Sequence, residues 1–240
     1  MADAMDSKSI SPKGSKGSSP FLGTRSAQGV EMVESIDREM GERLVRALLP
    51  VFLHRVRNST QLLSGIRSLL EVSPGDVPPS CADDLGQASS EAFENGWLLG
   101  VLASALGADV YGERERSDGL EPLLRWLREA LLREQRVLTW RDGEVPALRA
   151  TAGAPHSAAW SAALASLVFE SCVASAGTFR LGFTAGAESH AITLDRAHAE
   201  AARRAFTSSA LPSAGARLEF EDGGWRLDVP ATWLEFVPWD

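Results

Sequence analysis

The chain has little cysteine, no long apolar run and a deficit of positive charge. Only two cysteines occur in 240 residues, Cys81 and Cys172. They are far apart and outside any CxxC or Cys/His cluster, which argues against a disulfide framework and a structural zinc site. No apolar stretch approaches the roughly 18 residues of a membrane span, and the N-terminus lacks the apolar h-region of a secretory signal. A cytoplasmic protein without a membrane span is the expectation. With 24 Lys and Arg against 32 Asp and Glu, the formal net charge is −8. A general nucleic-acid binder normally shows a basic balance or face, so nucleic acid is not an expected partner. No internal repeat of solenoid length is present. What is present, at 44% hydrophobic and 23% charged residues with 21 Gly and 12 Pro, is the composition of a globular protein able to bury a real core.

Residues 1–28 are rich in Ser, Gly, Lys and Pro without apolar periodicity, and are expected to form a disordered tail. Lys8, Lys13, Lys16 and Arg25 against Asp3 and Asp6 make this tail cationic, opposite in sign to the remainder. From about Gly29 to Val72 the sequence predicts one long helix. Its signature is the series Val45, Leu49, Phe52, Val56, Ser59, Leu63, Ile66 and Leu70, whose spacing alternates four, three, four, three. That is the a/d seam of a bundle helix, with Ser59 its one polar member. Leu48, Leu53, Leu62 and Leu69 widen the apolar face beyond what a two-stranded zipper needs, which favours a four-helix bundle. Pro50 cannot donate to the carbonyl of Arg46, so a bend is expected just before His54.

The segment SPGDVPP (Ser73 to Pro79) breaks the helix, and a second helix is predicted from about Ala82 to Leu106. The two helices form an antiparallel hairpin over residues 29–112. One hairpin alone cannot bury both apolar faces, so homodimerisation into four helices is expected. Over residues 113–240 helix and strand alternate. Leu120, Leu123, Leu124, Leu127 and Leu131 mark an amphipathic helix; Arg136 to Arg141 reads as a strand; Trp160, Leu164, Leu167, Val168 and Cys172 mark another helix. Phe179, Leu181 and Phe183 alternate as a half-buried strand, with Ser189 to Asp195 its expected partner. A short helix over Ala197 to Phe206 and two strands joined by Asp222-Gly223 close the chain, that dipeptide being a strong hairpin signal. The fold class is α+β: a helical hairpin followed by an α/β sandwich of one mixed sheet backed by helices.

In the heptad register His54 falls opposite the seam, so its imidazole is expected to face solvent in the middle of the long helix. Arg55 and Arg57 flank it, and Asn58 lies one turn further on the same face. A neutral imidazole is a nucleophile, and nearby guanidinium groups favour the neutral form and attract phosphoryl oxygens. Taken alone, these residues also fit a surface histidine on a basic helix face. The run FLHRVRNSTQLLSGIRSLL (Phe52 to Leu70) resembles the phosphoacceptor box of sensor histidine kinases, most closely the HWE-like subfamily. In that box the histidine is followed by Arg, an aliphatic, a basic residue and Asn, matched here by His54, Arg55, Val56, Arg57 and Asn58. The resemblance continues in order through a helical hairpin, a link and an ATPase-like sandwich of the GHKL type, from about Arg38 to Pro230.

The resemblance breaks at the ATP site. Where the family places a magnesium-ligating Asn, this chain has Glu170. The family's adenine-reading Asp corresponds to Asp195, but Arg196, Ala197 and His198 follow it instead of a Gly-x-Gly turn, and neither a lid nor a second Gly-rich turn comes next. Glu170 and Asp195 are therefore read as remnants of a degenerate site that binds no cofactor. Glu221 to Gly224 reads as a hairpin rather than a nucleotide turn, and His156, His190 and His198 read as structural or surface groups. The apolar C-terminus, with Trp233, Phe236, Val237 and Trp239, either packs on the sandwich or docks a partner.

What the resemblance implies is a histidine phosphotransfer protein. His54 accepts a phosphoryl group from a response-regulator receiver domain and passes it to another, Arg55 and Arg57 balance charge, and Asn58 orients the group or shapes the docking face. The receiver supplies magnesium, so the chain needs no metal of its own. Two rivals stand beside it: a divergent ATP-dependent histidine kinase using Asp195 and Glu170, and a dimeric scaffold that sequesters receiver domains with His54 idle.

Overall fold

The computed structural model describes residues 37–72, 78, 80–108, 120–141, 148–150, 157–221 and 223–236. The expected tail, His156, Val237, Trp239 and the boundary expected at 112/113 lie outside them. The described residues form an α+β fold. The hairpin helices are α1 (Arg38–Val72) and α2 (Ser80–Ala105), followed by α3 (Leu120–Arg133), β1 (Val137–Trp140), β2 (Leu148–Ala150) and α4 (Ser157–Val173). Next come β3 (Thr178–Thr184), β4 (Ser189–Asp195), α5 (Ala199–Thr207), β5 (Arg217–Glu221), β6 (Gly224–Pro230) and β7 (Leu234–Phe236).

α4 is built almost wholly from small and apolar residues, and from Trp160 to Cys172 every side chain but Glu170 is buried. A helix apolar all round needs cover on all sides. The five-stranded sheet, α5 and the three helices α1, α2 and α3 share that cover, so one continuous core reaches from Leu44 and Leu48 of α1 through Leu164 and Leu167 of α4 to Leu181 and Leu227 of the sheet. Trp225 of β6 reaches into this core, where its Nε1 donates to Ser171 Oγ at 3.0 Å and that hydroxyl donates in turn to the Leu167 carbonyl. The buried indole N–H of Trp225 and the hydroxyl of Ser171 are both thereby satisfied.

The sheet order is β1-β3-β4-β6-β5. β1 and β3 are parallel, the chain crossing between them through α4, as a parallel pair requires. The expected pairing of the strand around Phe179 to Phe183 with Ser189 to Asp195 is found, antiparallel, with Leu181 opposite Leu194. The expected final hairpin is found too: Glu221 pairs with Gly224 across a two-residue loop. Gly223 there has φ +82°, a conformation that costs glycine nothing. A separate antiparallel pair, β2 with β7, was not anticipated.

The long helix differs from expectation in how it is covered. In its first half, Met40, Leu44, Leu48 and Val51 are buried in the shared core, so α3 and α4 of the same chain take up part of the apolar face that the sequence assigned to a bundle. Of the seam itself, Ser59 and Ile66 are buried, whereas Leu49, Leu63 and Leu70 remain 41%, 43% and 44% exposed. Pro50 does not interrupt the helix. It and Arg46 lie on the exposed side, where water can take the freed carbonyl, and the buried neighbours Leu48 and Val51 hold the helix on either side.

Candidate functional site

His54 stands where α1 leaves the body of the fold. Val51, one turn earlier, is fully buried, while His54 is exposed and from there on only Ser59 and Ile66 of α1 are buried. Its Nε2 lies 3.3 Å from Asn58 Nδ2, four residues on. An amide N–H only donates, so Nε2 accepts and the ring proton sits on Nδ1. That tautomer puts the nucleophilic lone pair on Nε2, where the Asn58 N–H occupies it until the amide swings aside. Arg57 is exposed and makes no ion pair with any described residue.

Arg55 is placed differently from the expectation that it flanks the imidazole. Its guanidinium turns to α3, where it bonds Glu129 Oε1 at 3.1 Å and lies over the Trp126 ring. Of the four candidate side chains within this run, the fold brings together His54 and Asn58, leaves Arg57 free to meet a ligand, and commits Arg55 to a neighbouring helix.

The polar member of the seam also has a partner. The buried Ser59 hydroxyl reaches both the Arg55 carbonyl and the carboxylate of Glu91 on α2, and Gln87 donates to the other oxygen of Glu91. The Ser59 hydrogen bond, then that from Gln87, with the charge of Arg55 behind them, holds the Glu91 carboxyl below its ordinary value. A depressed pKa stabilises the fold above the unfolded-state value and ceases to do so as pH falls through the folded value. Ser59→Ala is therefore expected to cost about 1 kcal/mol near neutral pH. In thermal melts, that difference from wild type shrinks as pH drops below about 4, the ordinary Glu range.

Glu170 and Asp195 are both spoken for. Glu170 makes a two-pronged pair with Arg43 of α1, 2.9 Å to Nε and 3.1 Å to an NH nitrogen. Asp195 accepts from Arg141 at 3.0 Å. The turn after β4 is made without glycine: Arg196 itself adopts φ +63°, and His198 caps α5, its Nδ1 accepting from the Ala201 N–H at 3.2 Å. Only three residues separate β4 from α5, so no lid stands there. Among the described residues no group of three or more His, Cys, Asp and Glu is arranged to hold a metal ion.

The remaining candidates have structural roles. His190 is buried, with Nδ1 accepting from the Gly186 N–H and Nε2 donating to the Leu234 carbonyl at 2.9 Å, which ties β4 to β7. It and His198 stand at opposite ends of β4. Trp233 is buried against Trp160, ring centroids 6.1 Å apart, so this part of the apolar C-terminus packs on the sandwich. Both cysteines are free and buried, and burial pushes the Cys172 thiol far above its ordinary range, leaving it unreactive.

No protein-family model matches the chain, and no curated protein matches it either. Among the described residues no helix is long and apolar enough to cross a membrane.

Proposed function

We propose that the protein is a cytoplasmic, homodimeric histidine phosphotransfer protein that relays a phosphoryl group between receiver domains through His54, without binding ATP. The observation that carries this reading is the exposed imidazole of His54 on a firmly held helix, with Asn58 fixing its Nδ1–H tautomer. Once the Asn58 amide releases it, the Nε2 lone pair attacks the phosphorus of a receiver's aspartyl phosphate, the P–O bond to the carboxylate breaks, and the carboxylate leaves with the electron pair. The histidine becomes an Nε2-phosphoimidazolium that keeps its Nδ1 proton, so no general base is required. Magnesium comes with the receiver. Attack by a second receiver's aspartate reverses the step. Arg57 is the guanidinium best placed to meet the transferred group.

The pairing of Glu170 with Arg43 and of Asp195 with Arg141 weighs against the kinase rival, since both carboxylates are neutralised within the chain. So does the shared core: a kinase must bring its nucleotide domain to the histidine, and here α1 is packed against α3 and α4 up to Val51. The likeness to a GHKL sandwich and a four-helix bundle belongs to this same proposal.

The test is a screen of receiver domains, each phosphorylated and mixed with wild-type protein or His54→Gln. Acid-labile label on wild type and none on His54→Gln is the expected result, with no label from ATP alone. Equal labelling of both proteins, or none from any receiver, overturns the relay. Labelling of His54 by ATP replaces it with the kinase reading.

A further inference from the structure

Arg55 sits in a grip that the histidine box does not explain. Its guanidinium donates to Glu129 Oε1 at 3.1 Å, stands 4.0 Å from Glu94 Oε2 and lies 5.1 Å from the centroid of the Trp126 ring. Phe52, three residues before Arg55, meets the same indole, centroids 6.2 Å apart and the rings tilted by 48°. Trp126 and Glu129 are likewise three residues apart, so one helical neighbour pair on α1 grips another on α3. The Trp126 N–H is buried and finds no acceptor among the described residues. That ring carries the Arg55 cation over one face and meets the Phe52 ring at a tilt.

His54 is the residue just before Arg55 in the helix, about 100° round from it. A roll of α1 by about 10° carries an imidazole some 6 Å from the axis through about 1 Å, a displacement on the scale that costs a transfer reaction up to about 100-fold. We infer that Arg55 is a positioning residue: clamped between Glu129 and Trp126, it fixes the roll of α1 and hence the angle at which His54 presents Nε2, and it does not itself hold the phosphoryl group. This rests on the reading of His54 as phosphoacceptor.

The experiment uses the full chain with Arg55→Glu, Glu129→Arg, the double charge swap and the milder Glu129→Gln, each confirmed as folded by its melting curve. In single-turnover transfer from a phosphorylated receiver, each reversal is expected to lower the limiting rate about tenfold, with the half-saturating receiver concentration changed less than about threefold, and the swap to recover most of the rate. Should a reversal fail to fold, Glu129→Gln is expected to slow the limiting step about threefold. A wild-type limiting rate in the Glu129 variants overturns the inference. So does a double swap as slow as Arg55→Glu, because Arg55 would then act by its own charge on the phosphoryl group. A second readout needs no transfer. The chain has 4 histidines, so ring-labelled protein gives few NMR signals; that of His54 is expected to move in Glu129→Arg and to return in the swap. An unmoved His54 signal overturns the clamp. If no receiver phosphorylates the wild type, the relay reading fails and this second readout alone decides the clamp.

Discussion

Gly41→Ala is expected to destabilise the protein by about 2–3 kcal/mol, although alanine is the better helix former by about 1 kcal/mol. Gly41 is buried in the first turns of α1, where the helix crosses the end of α2. A Cβ there would lie 1.8 Å from the carbonyl oxygen of Ala105 and 2.9 Å from its carbon. The obstacle is backbone, so no rotamer change relieves it and the two helices must part. Gly65, in the same helix, meets nothing within 4 Å, so Gly65→Ala is expected to raise stability by up to about 1 kcal/mol. Urea melts of the pair separate the two effects. A Gly41→Ala protein as stable as wild type is incompatible with the close crossing. The consequence reaches the site, since this crossing seats the root of the helix that carries His54 thirteen residues later.

Elements with a local signal were legible in the sequence. The strand around Phe179 and Leu181 shows its alternation, the final hairpin shows Asp222-Gly223, and α3 shows its leucines at helical spacing. His54 was legible as exposed because it lies opposite a regular seam. β2 and β7 were not: each is three residues long, and they lie more than eighty positions apart in the chain. The role of Arg55 was equally invisible, since its partner Glu129 is 74 positions away on another helix. A clue to the shared core did exist: within Trp160 to Cys172 only Glu170 is charged, too few polar residues for a helix with a wet face. Read that way, α4 demanded cover on the side away from the sheet, and the hairpin was the apolar surface available. The face of α1 thus has two claimants, a second chain and its own α/β part; only the first was expected from the sequence, and the fold gives the first half of the helix to the other.

What is left over of the seam is Leu49, Leu63 and Leu70, and its strict spacing supports the second copy proposed above. Leu49, Leu63 and Leu70 are each two-fifths or more exposed. α2 carries a matching outward row, Leu85, Ser89, Ala92, Gly96, Leu99 and Ala103, which again alternates four and three, with Leu85 and Leu99 exposed. A face that merely tolerates exposed leucine has no reason to keep that spacing on two helices; knobs-into-holes pairing does, and the small residues of α2 let a facing helix approach closely. In a two-fold dimer every substitution counts twice. Leu63→Glu with Leu70→Glu places four carboxylates in the joint, and is expected to weaken dimerisation on the order of 100-fold or more. Sedimentation at micromolar concentration reads the change directly, with circular dichroism to confirm that the hairpin is intact. Because the seam lies about half a turn round α1 from His54, the monomeric variant is expected still to accept a phosphoryl group. A wild type already monomeric at tens of micromolar would remove the dimer from the proposal and leave His54 standing, since the helix that holds the imidazole is fixed by Arg43, Arg55 and the core of its own chain rather than by a partner.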